Sequence, residues 1–338
     1  TFQISPLMKI LVSGGTGFVG TAVTDALLAL GHEVHTIGRS TPSFSNKAKN
    51  RYHHTFDLTK DDLPESLMSG TEIFFHIAAK AGVWGSYSEF FNANVTATRK
   101  ILTACQSFRV PKLIYTSTPS VVFSEKPIRN GTETLPYCKN EFSPYAQTKS
   151  IAEREVLKAH VPGKMQTIAL RPHLVWGKGD PHLLPRVIQR HRAGKLKIIG
   201  DGTNQVDLTH IDNVAHAHIC AMKAMLKNEK LGGNPYFISQ GEPVYLWDWL
   251  NQLFPRLDLP PLSRSLNFKT AFLIGSGLES LWSLFKIKKE PPMTRFVACQ
   301  LAHDHWFSIK SAEADLSYKP VIKMNQAMEE TLPWLQSL

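Results

Sequence analysis

The chain predicts an α/β fold: a Rossmann doubly wound parallel sheet with a smaller, mainly C-terminal substrate-binding region. Three observations carry this. The apolar run Ile10-Leu11-Val12 passes directly into the glycine-rich turn Ser13-Gly14-Gly15-Thr16-Gly17-Phe18-Val19-Gly20. Strand and helix signals then alternate along most of the chain, the pattern of parallel strands joined by helical crossovers. Finally, Tyr145 and Lys149 stand four residues apart in a helical segment that follows a strand ending in hydroxyls.

In the glycine turn, Gly14, Gly17 and Gly20 let the backbone bend tightly, approach a pyrophosphate, and pack a helix on the strand. The helix N-terminus, with Thr16, Phe18 and Val19, offers N–H groups and a partial positive charge to phosphate. The helical pattern Val19, Val23, Ala26, Leu27, Leu30 follows and stops at Gly31. The next strand, 33–37, ends at Gly38-Arg39-Ser40. An NAD-preferring site places a carboxylate there to accept from the ribose 2′-hydroxyl, whereas Arg39 and Ser40 suit a 2′-phosphate. The cofactor expected is NADP(H), with NAD(H) the alternative.

Short strands are expected at 52–56 and 73–76, with helix-like 61–68 between them. Then come helix 94–108, strand 112–117, helix 143–160, strand 166–171, helix 212–227 and a late strand at 236–239. These assign 8–172 to the dinucleotide-binding core, rejoined at about 203–240. Segments 173–202 and 241–338 form the substrate-binding region, roofing the carboxyl ends of the strands.

Tyr145 and Lys149 fall on one helix face. A free phenol, with a pKa near about 10, is a poor base at neutral pH. A neighbouring ammonium and an oxidised nicotinamide both stabilise phenolate, and in the reducing direction the same phenol protonates a carbonyl oxygen that receives hydride. Lys149 can also hold the nicotinamide ribose. The strand end Tyr115-Thr116-Ser117-Thr118-Pro119-Ser120 supplies a hydroxyl donor to the substrate carbonyl, and spacing alone does not choose among its members.

The formal net charge of +10 is spread along the chain without a nucleic-acid-binding cluster. The densest basic group, Lys286, Lys288 and Lys289, follows the mostly apolar stretch 270–285, too short for the roughly 20 residues that span a bilayer. It reads either as a helix covering a substrate pocket or as an interfacial helix on an anionic membrane, a peripheral contact through 270–289. Cys105, Cys138, Cys220 and Cys299 show no paired spacing, so neither disulfides nor zinc are expected and a cytoplasmic setting fits. No histidine motif has metal-ligand spacing, no signal-peptide pattern is visible, and residues 1–7 read as a leader. His76, in an apolar strand, reads as a core histidine. His173 is expected to face the cleft, and Trp84 and Trp176 either line an apolar pocket or pack in the core; His182 is undecided.

These residues together resemble the extended short-chain dehydrogenases/reductases, in their 3β-hydroxysteroid dehydrogenase-like branch. Within it the chain is similar to the 2-alkyl-3-oxoalkanoate reductases of bacterial olefin biosynthesis. The more specific stretches are Ala78-Ala79-Lys80-Ala81-Gly82-Val83-Trp84-Gly85, Arg171-Pro172-His173-Leu174-Val175-Trp176-Gly177, Phe237-Ile238-Ser239-Gln240-Gly241-Glu242-Pro243 and Glu290-Pro291-Pro292-Met293-Thr294-Arg295-Phe296. The resemblance implies Thr118, Tyr145 and Lys149 as the catalytic set, with Asn94 supporting the lysine through water. Many relatives carry Ser at the Thr118 position, and threonine still donates. For the cofactor it implies Gly14, Thr16 to Gly20, Arg39, Ser40, Asp57 and Leu58 at the adenine, Ala78 to Lys80, and Pro172 beside the nicotinamide.

The function so implied is NADPH-dependent reduction of a long-chain 2-alkyl-3-oxo acid, a lipid substrate. The alternatives are a sterol or 3β-hydroxysteroid dehydrogenase and a nucleotide-sugar epimerase. A cation should meet the substrate carboxylate, with Lys80, His173 and Arg295 as candidates. Pro119-Ser120 stands where a dehydratase carries its Asp-Glu pair, which argues against elimination chemistry. A homodimer is expected only by analogy with the fold.

Overall fold

The computed structural model describes residues 7–39, 49–139 and 143–338. Its first strand, β1 (Lys9–Ser13), is central: Ile10 and Val12 enter the core on one face and Leu11 the core on the other. A continuous apolar run is what a parallel strand covered on both faces requires. Helix α1 (Phe18–Ala29) buries the stripe Gly20, Val23, Thr24 and Leu27, and β2 (Glu33–Gly38) and β3 (Arg51–Thr55) complete this half of the sheet.

The helix expected at 61–68 is a single turn, α2 (Glu65–Met68). Pro64 disfavours a helical residue before it, and the chain upstream is occupied by a turn around Asp57. After β4 (Ile73–His76) the expected helix 94–108 starts earlier, as α3 (Tyr87–Phe91), because the Ser86 hydroxyl caps it by accepting from the Glu89 N–H. One π-helical turn, Asn92–Thr96, joins α3 to α4 (Ala97–Ser107). Then follow β5 (Lys112–Thr116), β6 (Ile128–Gly131), α5 (Pro144–Lys158) capped by Ser143, and β7 (Gln166–Pro172).

The strand Asn234–Ile238 joins last, and the all-parallel order is Asn234–Ile238, β7, β5, β4, β1, β2, β3. The order reverses between β1 and β4, and ligands of such sheets bind in the crevice at the carboxyl ends beside that reversal. The glycine turn leaves β1 at this point and Ala78 follows β4.

A separate apolar core lies in the C-terminal region, around Trp176, Leu184, Trp247, Trp249, Phe254 and Leu335. The short strand His305–Phe307 pairs with β6 and carries C-terminal residues up to the end of β7. Helix Phe268–Leu284 rests on a narrow stripe, Ala271, Gly275 and Glu279, with Gly275 against the Thr294 backbone. Its outer side stays apolar and exposed. Among the described residues no helix is long and apolar enough to cross a membrane, no His/Cys/Asp/Glu group is placed to hold a metal ion, and no disulfide forms.

Candidate active site

The glycine turn fits a pyrophosphate on geometry. Gly14 has φ +72°, and a Cβ there would stand 2.8 Å from the Ala78 Cα, so the turn and the end of β4 touch backbone to backbone. A Cβ on Gly20 would lie 2.0 Å from the Gly14 carbonyl oxygen, which is how closely α1 docks. Gly17 differs: a Cβ there would have ordinary room, at 3.4 Å from its nearest neighbour. The fold itself therefore does not demand glycine at this position. No side chain caps α1 and no acidic residue sits in its first turn, so this helix end is suited to an anion.

A buried polar chain ties this turn to α5. Thr98 Oγ1 donates to the Asn94 carbonyl at 2.5 Å and so accepts from His76 Nε2–H at 2.8 Å. His76 Nδ1 is then an acceptor, and Ser13 Oγ–H donates to it at 2.8 Å. Ser13 Oγ in turn accepts from the Ile77 and Ala78 N–H groups. Burial pushes His76 down to about 3, so the ring is neutral, as this chain demands. His76 is a core histidine with a structural task.

Thr118 follows β5 in extended conformation, and its Oγ1 accepts from the Ser120 N–H at 3.2 Å. Its hydroxyl donates to Ser120 Oγ at 3.3 Å, and Tyr145 lies in the first turn of α5. Burial raises Tyr145 above its ordinary value, and the Thr118 side chain offsets part of that rise. The buried Lys149 ammonium donates to the Thr116 carbonyl at 2.7 Å and lies 4.1 Å from the centre of the Tyr115 ring. Burial pushes Lys149 down to about 7, opposed by the buried Glu153 one turn further along α5.

Asn94 sits in the π-turn, a local irregularity that re-aims side chains and recurs at functional sites. Its Oδ1 accepts from the Lys80 N–H at 2.7 Å, while Nδ2 donates to the Lys80 carbonyl and to Thr148 Oγ1, both at 3.1 Å. Asn94 thus clamps the chain after β4 against α5 beside Lys149, rather than contacting the lysine itself.

Arg39 is exposed at the end of β2, and Ser40 lies outside the described residues. The Asp57 carboxylate accepts from the Thr59 N–H and hydroxyl at 3.1 and 2.7 Å, which holds it below its usual value, while Leu58 is buried in the core. Ala78 and Ala79 follow β4, and Pro172 ends β7 opposite Ile238. The Lys80 ammonium pairs with Glu89 at 2.8 Å, and Arg295 pairs with Glu279 at 2.6 Å. Trp84 Nε1 donates to the Ile287 carbonyl at 3.0 Å, latching the segment after helix Phe268–Leu284. Trp176 does not line the cleft: it is fully buried in the C-terminal core, edge-on to His210 and Trp249. His182 lies in a turn held by Asp180, which accepts its N–H. His173 is buried against His305.

Sequence reasoning missed a buried ion pair behind the site. Arg171 Nε and Nη2 fork onto the Glu153 carboxylate at 2.5 to 3.2 Å, and the Tyr137 hydroxyl donates to the same carboxylate at 2.8 Å. The spacing Tyr145, Lys149, Glu153 was a signal for it, since all three share one face of α5. His305, distant in sequence, gave none.

A hydroxyl, a phenol and a buried ammonium gathered at the carboxyl edge beside a dinucleotide turn make this an oxidoreductase of the extended short-chain dehydrogenase/reductase class. More narrowly, the chain belongs to the 3-beta hydroxysteroid dehydrogenase/isomerase family, whose model matches residues 11–268. It is 40% identical to a 2-alkyl-3-oxoalkanoate reductase of Stenotrophomonas maltophilia (strain K279a), over 95% of this chain and 97% of that protein. It is 32% identical to a decarboxylating sterol-4-alpha-carboxylate 3-dehydrogenase of Mus musculus, over 98% and 92% of the two chains. Among solved structures it resembles gox2253 (TM-score 0.77, 26% identity, 97% and 98% covered). It also shares its fold with MoeE5, solved with UDP-glucose and NAD (TM-score 0.73, 22% identity, 97% and 99% covered).

Proposed function

We propose that the protein reduces a long-chain 2-alkyl-3-oxoalkanoic acid to the 3-hydroxy acid, using NADPH. The observation that carries this reading is the gathering of Thr118 after β5 with Tyr145 and the buried Lys149 on α5, in a chain similar over nearly its whole length to a reductase of such acids. The bound dinucleotide supplies hydride. Thr118 donates to the substrate carbonyl oxygen, and Tyr145 gives that oxygen its proton. A phenol raised by burial holds its proton at neutral pH and so suits the reducing direction as an acid. Lys149 anchors the nicotinamide ribose from its place against Thr116, and Asn94 holds the loop and helix that frame it. Arg39, exposed where an NAD site carries a carboxylate, supports the 2′-phosphate.

The same catalyst run backwards is a sterol-carboxylate dehydrogenase, and the similarity to the mouse enzyme favours keeping that second reading. We further place the protein against an anionic membrane surface. Leu273, Leu284 and Phe285 are 70%, 73% and 69% exposed around helix Phe268–Leu284, beside the exposed Lys286, Lys288 and Lys289.

The primary test is loss of NADPH absorbance with a synthetic 2-alkyl-3-oxo acid. Turnover supports the reading, and Tyr145→Phe should abolish it while dinucleotide binding persists. Absence of turnover with that acid, alongside NAD⁺ reduction by a 4-carboxysterol, would move the assignment to the second reading. Sedimentation with anionic vesicles, reduced in Leu284→Glu/Phe285→Glu, tests the membrane contact.

A further inference from the structure

The Lys149 ammonium is held in the interior, and burial pushes it down to about 7, so its charge is marginal at neutral pH. An ammonium carries three hydrogens, and one goes to the Thr116 carbonyl at 2.7 Å. A buried charge is ordinarily met by a carboxylate. Glu153, one turn further along α5, raises Lys149, but its oxygens already accept from the Arg171 fork and the Tyr137 hydroxyl. What stands directly against the ammonium is an aromatic face: Nζ lies over the Tyr115 ring, 4.1 Å from its centre.

The strand puts that ring there. Side chains alternate along β5, so Leu113 and Tyr115 enter the core shared with Ala152 and Val156 of α5. The Thr116 side chain leaves on the other face. His218 Nδ1–H donates to the Val214 carbonyl, so His218 Nε2 accepts from the Thr116 hydroxyl at 2.7 Å. The Tyr115 ring is itself fully buried, with the His76 ring packed against it at 5.2 Å. Burial raises the Tyr115 phenol well above its usual value, so it stays neutral and meets the ammonium with its π face, not as a counter-ion. Such a face attracts a cation most where no water intervenes.

We propose that Tyr115 is a positioning residue of the site: its ring face keeps Lys149 charged and in place for the dinucleotide. The inference rests on the reading of Lys149 as the ribose anchor and adds what holds that anchor. The other ionisable groups around Lys149 are Tyr145 and Glu153 of α5, His76 of β4, Arg171 of β7, and His218 of the helix Ile211–Lys227. Burial keeps Tyr145 protonated, and it keeps His76 and His218 neutral, pushed down to about 3 and about 4. Arg171 and Glu153 hold each other. The aromatic face is thus the contact left to favour the cation.

The test changes the ring without emptying its place. Tyr115→Phe keeps the face and drops the hydroxyl, while a trifluorinated phenylalanine at the same position keeps the shape and drains the face of negative potential. The Lys149 titration is read in the dinucleotide-free protein by NMR of isotope-labelled lysine side chains, its resonance assigned with Lys149→Met. Losing the attraction favours the neutral amine, so the midpoint moves down. Wild type and Tyr115→Phe should titrate within about half a unit of each other, and the trifluorinated ring should lower the midpoint by about one unit, a tenfold change in protonation. Equal midpoints for the two phenylalanine rings, whether at the wild-type value or below it, would overturn the proposal. NADPH titrations across pH give the second readout: affinity should begin to fall about one pH unit lower with the trifluorinated ring than with the plain one. Coincident affinity profiles despite separated midpoints would remove the positioning role. A wild type that binds no dinucleotide at any pH would remove the proposed function, while the lysine midpoints still decide what the ring does.

Discussion

Replacing His76 by phenylalanine keeps a ring of similar shape in the core and removes the proton-ordering link between the glycine turn and α5. At pH 7.5 the Ser13 hydroxyl loses its acceptor and Thr98 loses its donor, both at 2.8 Å and buried. Two such losses cost about 2–4 kcal/mol. The size of the loss should depend on pH in a calculable way. Folding holds His76 neutral, with its value lowered from 6.5 to about 3, so the unfolded chain binds the extra proton. The wild type's stabilisation is whole above the unfolded value of about 6.5 and is lost as pH falls towards 3. At pH 5 the wild type has given up about 2 kcal/mol for this one ring, which the phenylalanine variant does not lose. Other titrating groups act on both proteins alike and cancel in the difference. Urea denaturation of both proteins at pH 7.5 and pH 5 should therefore show the gap between them narrowing by about 2 kcal/mol. A gap of the same size at both pH values would refute the neutral, chain-ordering role of His76.

Three further outcomes are expected. Gly17→Ala, with ordinary room for its Cβ, should leave unfolding within about 1 kcal/mol of wild type yet weaken dinucleotide binding tenfold or more, whereas Gly20→Ala should disrupt the turn itself; thermal melts and dinucleotide titrations separate the two. Glu153→Leu strands Arg171 in the core and should cost about 3–5 kcal/mol, largely recovered in Glu153→Leu/Arg171→Met, as measured by denaturant unfolding. Arg39→Asp should swing kcat/KM from NADPH towards NADH by tenfold or more; a wild type that already prefers NADH would defeat the argument from Arg39.

Much of the site was legible because its signals are local. A strand running into Gly14 and Gly20 specifies a turn that any chain must make with glycine, since a Cβ would strike Ala78 or the Gly14 carbonyl. Tyr145 and Lys149 share a helix face by spacing alone. Helix ends were harder, because capping hydroxyls and prolines act over one or two residues: Ser86 started α3 early, and Pro64 cut α2 short. Trp176 misled, since an aromatic beside a strand end serves a pocket or a core equally well until its neighbours are known. The surroundings of Lys149 were not legible: one helix face brought it near Tyr145, while the Thr116 carbonyl and the Tyr115 ring, from another strand, decided where its charge sits.

By itself, then, the sequence determined the parallel α/β sheet, the dinucleotide turn and the pair of residues on α5, all products of periodicity and backbone geometry over short spans. The tertiary structure alone decided how protons and charges are shared: the Ser13–His76–Thr98–Asn94 chain, the Glu153–Arg171 pair, and the meeting of His173 with His305 across 132 positions. The reason is physical. Donor and acceptor roles, burial and pKa depend on which groups the fold brings together, and those neighbours come from strands and helices that sequence spacing does not relate.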